Sequence, residues 1–213
     1  MGSERHRRSW PQALLKPLIW LLCLAPAVYL LLQILSDALG ANPVEALIRA
    51  TGDWTLRGLC LVLALTPMQV SLGWSVLARV RRLLGLFTFF YAGLHVLTYA
   101  WLEMAWSWRE IGEDVLQRWF IVVGVGAFFV LLSLAISSHH AVLRSLGGKN
   151  WKRLHQSVHV AAWLALLHFF WMRSGKSDFA EVAVYAAIIA FLQAWRVVRR
   201  IRNNRRKTRA QNA

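Results

Sequence analysis

Acidic residues are scarce in this sequence, and that scarcity gives the chain its charge. Its 213 residues include 10 Asp and Glu against 25 Lys and Arg, for a formal net charge of +15. A surplus of this size is typical of proteins that bind nucleic acids. The basic residues, however, lie between and beyond long apolar segments. We therefore interpret them as membrane topology signals and expect no nucleic-acid partner.

Cysteine and the sequence motifs of common enzymes are also scarce or missing. The two cysteines, Cys23 and Cys60, lie in apolar segments, which predicts buried thiols and no disulfide framework. The sequence has no Gly-rich phosphate loop, no nucleophile elbow, no nicotinamide fingerprint and no His-Glu-x-x-His pattern. No residue is therefore predicted to be catalytic.

Long apolar segments are what the sequence has in abundance. It is 57% hydrophobic, with a mean hydropathy of +0.43. About 20 apolar residues are needed to cross ~30 Å of hydrocarbon. Six segments meet this requirement: residues 18–39, 54–74, 83–104, 119–138, 154–172 and 179–198. They predict an all-α integral membrane bundle of six helices over residues 18–198, between a basic N-terminus (1–17) and a basic tail (199–213).

The charges outside these segments predict the orientation of the bundle. Four segments on the N-terminal side hold 19 of the 25 basic residues, and nine of the 10 acidic residues lie on the opposite side. The N-terminal-side segments are residues 5–16, 79–82, 144–153 and 196–209. Basic residues accumulate on the cytoplasmic side of membrane proteins, so both termini are predicted to be cytoplasmic. The basic tail is expected to contact anionic membrane lipid.

Histidines inside the predicted spans are the strongest chemical signal. An ionisable residue within a membrane span is costly and indicates a functional site. His95 lies 12 residues beyond Leu83 in the third segment, a rise of ~18 Å, and His168 lies 14 residues beyond Leu154 in the fifth, ~21 Å. Both helices run in the same direction, so the two imidazoles are predicted at one level. Two such imidazoles can hold the iron of one haem from opposite faces.

A second group of candidates lies nearer the cytoplasmic surface. His155 precedes His168 by 13 residues, or ~19.5 Å on a continuous helix, so the two cannot share one iron. His155 is expected at the entry of an electron path, as an inner haem ligand or beside a flavin, with His159 as its competitor for that role. Nearby basic residues would neutralise haem propionates or a flavin phosphate, or serve only as topology charges: Arg81, Arg82, Lys152 and Arg153.

Three other interpretations compete with an electron-transfer protein. A zinc site would need three or four converging ligands, and no third His or carboxylate lies at the depth of His95 and His168. A small transporter or channel with a histidine proton relay would need a polar path to the midplane. A scaffold that helps a partner insert would explain the helices but not the matched depths of the histidines.

The sequence resembles the ferric-reductase-like transmembrane domain, which NADPH oxidases share. Within that family it is similar to the haem-binding membrane subunits of bacterial periplasmic methionine sulfoxide reductase systems. The likeness covers nearly the whole chain and is carried by residues 39–44 (Leu-Gly-Ala-Asn-Pro-Val), 51–52 (Thr-Gly), 81–86 (Arg-Arg-Leu-Leu-Gly-Leu), 94–95 (Leu-His), 98–100 (Thr-Tyr-Ala), 146–147 (Leu-Gly), 151–155 (Trp-Lys-Arg-Leu-His) and 168–171 (His-Phe-Phe-Trp).

The resemblance implies more than the spacing does. By position, His95, His155 and His168 match the family's haem histidines, with one or two haem b groups and flavin mononucleotide (FMN) as cofactors. The chain would carry electrons across the bacterial inner membrane, from the quinone pool or a cytosolic flavin reductase, to a periplasmic molybdopterin subunit that repairs methionine sulfoxide in proteins. It departs from NADPH oxidases in having one histidine on the third helix where they have two, which leaves His155 without an evident partner.

The orientation can be tested with reporters. A reporter that is active only in the cytoplasm, fused after Ala213, is expected to be active because 19 of the 25 basic residues lie on that side. A reporter that is active only in the periplasm, fused at the same position, serves as the control and is expected to be silent. The opposite pair of results would invert the predicted direction of electron flow.

Overall fold

The computed structural model describes residues 12–74, 76–175 and 178–211, and within these the regular secondary structure is entirely helical. Five helices are long and apolar enough to cross a membrane: Lys16–Leu35, Pro43–Leu72, Val76–Glu103, Trp119–Ser137 and Ala180–Arg205. A sixth helix of 17 residues packs among them. The predicted all-α membrane bundle is confirmed. Most of the predicted basic N-terminus, including His6, lies outside the described residues.

The described residues form eight α-helices in order. They are α1 (Gln12–Leu35), α2 (Pro43–Leu72), α3 (Val76–Thr98), α4 (Trp108–Gln117), α5 (Trp119–Ser137), α6 (His140–His155), α7 (Val158–Ser174) and α8 (Ala180–Gln211). A π-helical turn, Tyr99–Glu103, continues α3. We call the end of the bundle that carries α6 and the C-terminal part of α8 the basic end. We call the other end, which carries α4, the acidic end, because every acidic residue among those described belongs to segments there.

Helices α2 and α7 occupy the centre of the bundle. One buried cluster joins α2, α7 and α8 through residues such as Leu63, Leu166 and Ile189. A second joins α2, α3, α5 and α7 through residues such as Leu59 and Ala161, both fully buried. Every other core helix therefore packs against α2 or α7, and these two helices set the positions of side chains on their neighbours.

Helix α2 begins eleven residues before the predicted segment at residue 54. Asn42 caps it by accepting a hydrogen bond from the Glu45 backbone N–H at 3.2 Å, and Pro43 occupies the first helical position. Both residue types favour a helix start. Gly73, with φ of 68°, ends the helix in the left-handed conformation that glycine adopts readily. The apolar segment is therefore shorter than the helix, because four polar residues interrupt its first three turns: Glu45, Arg49, Thr51 and Asp53.

Two helices lie outside the predicted segments, and one predicted segment is interrupted. The amphipathic α4 and the kinked α6, which contains the non-helical Gly147, fall where loops were expected. The fifth segment was predicted as one helix from residue 154. Instead α6 ends at His155, Gln156 and Ser157 form a turn, and α7 starts at Val158. The predicted continuous helix is therefore wrong, and the ~19.5 Å rise calculated along it does not apply to the two helices.

A tyrosine of α3 forms hydrogen bonds with two backbone groups of α1. Pro26 has no N–H and disturbs the hydrogen bonding of that helix. The Tyr91 hydroxyl accepts a hydrogen bond from the Ala27 N–H at 3.1 Å and donates one to the Cys23 carbonyl at 2.7 Å. These are backbone groups four residues apart, which would otherwise bond to each other. One buried side chain thus satisfies two polar groups and fixes α1 against α3.

The tight contact between α2 and α3 can be tested at Gly58. A Cβ at this position would lie 2.6 Å from the Thr88 Oγ1 atom, and Thr88 is itself only 3% exposed. We expect Gly58→Ala to lower the free energy of unfolding by about 1–3 kcal/mol, because the stiff threonine cannot move aside. Unfolding with a denaturing detergent, followed by circular dichroism, measures the change.

Gly85→Ala is the matched control, since nothing lies within 4 Å of a Cβ there. It should leave stability unchanged or raise it by up to about 1 kcal/mol through helix propensity. Equal stability of the two variants would show that α2 and α3 are not packed as described.

Candidate functional site

The structure brings His95 of α3 and His168 of α7 together. Their ring centroids lie 6.1 Å apart, and the two ring planes make an angle of 81°. Both side chains are partly buried within the bundle. His95 lies four residues before the π-helical turn that follows α3, and His168 lies six residues before the end of α7. The pair is therefore nearer the acidic end than the basic end.

Each imidazole is anchored through its Nδ1 atom to a backbone carbonyl of a neighbouring helix. His95 Nδ1 lies 2.8 Å from the Ile48 carbonyl oxygen of α2, and His168 Nδ1 lies 2.6 Å from the Phe120 carbonyl oxygen of α5. A carbonyl only accepts hydrogen bonds, so Nδ1 is the donor and carries the hydrogen in both rings. The second ring nitrogen, Nε2, keeps its lone pair and can bind a metal.

This geometry fits an iron atom between the two rings. Metal–imidazole nitrogen bonds of about 2 Å on each side would place two ring centroids on the order of 6 Å apart, close to the observed separation. A histidine ligand that donates its other ring N–H to a carbonyl is the usual arrangement in metalloproteins. A tetrahedral zinc site is not supported, because the described residues contain no group of three or more His, Cys, Asp or Glu side chains suited to a metal.

His155 lies apart from this pair, at the basic end. Its ring stacks on Trp151 at 4.0 Å, and its Nδ1 atom lies 3.3 Å from the Trp151 carbonyl oxygen. Trp151 in turn donates from its indole nitrogen to the Ser137 carbonyl at 3.0 Å, which ties α6 to the end of α5. His155 is therefore held in a defined position, with its other ring nitrogen available to a ligand.

His159 belongs to a polar cluster between α2, α3, α7 and α8. The Arg196 guanidinium lies 3.0 Å from His159 Nε2 and donates to the Leu63 carbonyl at 2.8 Å and to Thr66 Oγ1 at 3.2 Å. Arg81 donates to the same Thr66 hydroxyl at 3.0 Å. Two guanidinium groups thus share one threonine. The His159 Nε2 atom is occupied by this contact, whereas among the described residues no arginine bonds to His155.

The other predicted basic residues do not join this cluster. Arg82 lies 3.2 Å from His140 Nε2, at the exposed start of α6. Arg153 is exposed on the last turn of α6. The basic end therefore presents a polar cluster inside the bundle and a separate set of arginines on its surface.

Three residues that contribute to these sites were missed by the sequence analysis. Arg196 was counted only as a topology charge, although its position inside the last apolar segment was a signal of function. Gly52 and Gly124 lie directly against the His95 and His168 rings. A glycine within a membrane helix predicts close packing but does not show which side chain it contacts.

Comparison with known proteins gives the family. The sequence model of the ferric reductase like transmembrane component matches residues 51–166. A protein of Polaromonas naphthalenivorans (strain CJ2) is 53% identical over 85% of this chain and 83% of its own length. Proteins of Herminiimonas arsenicoxydans and Azospira oryzae are each 45% identical, over 86% and 89% of this chain and 84% and 81% of their own lengths.

These three relatives bear one name, protein-methionine-sulfoxide reductase heme-binding subunit MsrQ. Each of the three alignments spans at least 182 of the 213 residues, so each includes His95 and His168. The family match includes His95 and ends two residues before His168. With an all-α membrane bundle as its fold, the chain belongs to the MsrQ family of ferric-reductase-like membrane proteins.

Proposed function

We propose that this chain is the haem-binding, electron-carrying membrane subunit of a methionine sulfoxide reductase system, and that His95 and His168 bind the iron of one haem b. The observation that carries the proposal is the pair of imidazoles with centroids 6.1 Å apart and both Nδ1 atoms bonded to carbonyls. The names of the relatives support the haem and the reductase system.

Bound haem would supply a reversible one-electron carrier, and the protein supplies its position and surroundings. The Ile48 and Phe120 carbonyls hold the two ring nitrogens that do not face the metal. They also make each imidazole a more basic ligand. No bond of a substrate is made or broken here, so we assign no catalytic residue to this chain.

With one haem near the acidic end, electrons would still have to cross most of the membrane thickness between the basic end and that haem. On α2, Gly52 lies against His95 and Thr66 bonds to Arg196, 14 residues further, a rise of ~21 Å. That distance is a large part of a ~30 Å hydrocarbon core. We therefore propose a second redox group at the basic end, either a haem bound by His155 or an FMN beside it. Arginines there would pair with its propionates or phosphate: Arg81, Arg82 and Arg153.

The proposed electron path runs from the cytoplasm to the periplasm. The chain would lie in the bacterial inner membrane with both termini cytoplasmic, as the distribution of basic residues indicates. Electrons would enter from the quinone pool or a cytosolic flavin reductase and leave to a periplasmic molybdopterin subunit that reduces methionine sulfoxide. The exposed arginines at the end of α8 support contact with anionic lipid on the cytoplasmic side.

A histidine-relay transporter is the competing function, and the packing of α2 opposes it. Between Gly52 and Thr66 the buried side chains of α2 are four leucines and one cysteine: Leu56, Leu59, Cys60, Leu63 and Leu65. A proton relay needs a continuous chain of polar groups. The apolar layer separates the His95 pair from the Arg196 cluster, whereas electrons can pass through such a layer.

The ligand pair can be tested by removing each histidine. His95→Ala and His168→Ala are each expected to abolish the same low-spin haem signal, because losing either axial ligand opens or empties one site. Absorption spectra and the haem-to-protein ratio of purified protein measure the loss. His140→Ala, at the exposed basic end, is the control and should retain the signal. A bis-histidine spectrum that survives either core replacement would show that the pairing is wrong.

The role of His155 can be tested separately. His155→Ala is expected to slow reduction from the cytoplasmic side and to leave the spectrum of the His95–His168 haem unchanged, because it lies at the opposite end of the bundle. Stopped-flow reduction of protein in vesicles, with reductant on one side only, measures the rate. A silent His155→Ala together with a slow His159→Ala would transfer the role to His159.

A further inference from the structure

The two histidines of the pair rest on the same local arrangement in two different helices. His95 bonds to the carbonyl of Ile48, and the residue four positions later on α2 is Gly52. His168 bonds to the carbonyl of Phe120, and the residue four positions later on α5 is Gly124. In an α-helix the carbonyl of residue i already accepts the N–H of residue i+4. Each imidazole therefore bonds to a carbonyl that is already a helical acceptor and whose helical partner is a glycine. The Ile48 carbonyl also accepts a hydrogen bond from the Thr51 hydroxyl at 3.0 Å.

The missing side chain is what allows the ring to reach that carbonyl. A Cβ on Gly124 would lie 2.7 Å from Nδ1 and 2.9 Å from Cε1 of His168. A Cβ on Gly52 would lie 3.1 Å from Cε1 and 3.2 Å from Nδ1 of His95. Separations below about 3.5 Å between such atoms are repulsive. A Cβ on Gly124 would therefore require the His168 ring to move, and a Cβ on Gly52 would require the His95 ring to shift by a few tenths of an ångström.

A Cβ on the other glycines of α2, α3 and α5 would not meet a histidine. The tightest of these contacts, at Gly58, would be with Thr88 Oγ1 at 2.6 Å. A Cβ on Gly126, two residues after Gly124, would meet only the Leu164 Cδ1 atom at 3.9 Å. A Cβ on Gly93, two residues before His95, would meet nothing within 4 Å. The close contacts at Gly52 and Gly124 are therefore specific to the histidine pair and do not reflect dense packing around every glycine.

We infer that Gly52 and Gly124 are positioning residues for the two haem-binding histidines, each opening a backbone carbonyl to the Nδ1–H of one ring. The inference rests on the proposed binding of haem by His95 and His168. Because the acceptors belong to different helices, the two glycines also fix the 81° angle between the ring planes. Losing the carbonyl contact would make the imidazole a less basic ligand and would free the ring to rotate.

This role predicts effects on the metal site that a general packing defect would not produce. An alanine at either position should weaken haem retention by about 10-fold or more, the usual consequence of removing a partner of a ligating histidine. Haem that stays bound should have a higher reduction potential, since a less basic imidazole stabilises ferric iron less. Its electron paramagnetic resonance spectrum should also change, because that spectrum depends on the angle between the axial rings.

The experiment compares Gly52→Ala and Gly124→Ala with Gly126→Ala and Gly93→Ala in the full-length protein purified in detergent. Haem-to-protein ratio, reduction potential and the resonance spectrum are measured for each variant. We expect changes in the first two variants and native values in the two controls. Gly124→Ala should have the larger effect, because its contact is the closer one. If Gly124→Ala does not fold, Gly52→Ala decides the question, since its shortest contact is 3.1 Å rather than 2.7 Å.

Two results would overturn the inference. One is native haem content, potential and spectrum in both test variants. The other is an equal change in the test variants and the controls, which would indicate packing alone. Failure of the proposed function is distinguishable: His95→Ala and His168→Ala would then keep the haem signal, whatever the glycine variants show.

Discussion

An imidazole N–H inside a bilayer has no water to bond, so the protein must supply an acceptor. That requirement explains why four helices meet where they do. His95 on α3 needs α2 beside it, His168 on α7 needs α5, and each finds a backbone carbonyl there. The same requirement acts at Pro26, where the Tyr91 hydroxyl satisfies two backbone groups of α1. Satisfying buried polar groups, more than apolar packing alone, specifies which helices are neighbours.

The sequence predicted the bundle well because a single constraint, the thickness of the hydrocarbon core, sets the length of each apolar segment. It predicted the ends of the helices less well. Helix α2 begins after the Asn42 cap, and Glu45, Arg49 and Asp53 interrupt its first turns, so hydropathy does not detect its start. Helices α4 and α6 lie at the two ends of the bundle and are too polar to register as spans. The turn at Gln156 and Ser157 contains no Pro or Gly, the residues that usually indicate a helix break in a sequence.

The proximity of His95 and His168 followed from their depths on two helices that run in the same direction. Depth is readable from sequence because the rise per residue is constant. The rotation of each helix about its axis is not, since it depends on packing with every neighbour. For that reason the contacts of Gly52, Gly124 and Arg196 became visible only in three dimensions. The same limit applies to His159, whose contact with Arg196 joins two helices.

The most direct test of the account is to locate iron in an experimental structure of the purified protein, by anomalous scattering at the iron edge. We expect iron between His95 and His168, about 2 Å from the Nε2 atom of each. Iron bound by only one of these histidines, or found solely at the basic end beside His155 or His159, would contradict it.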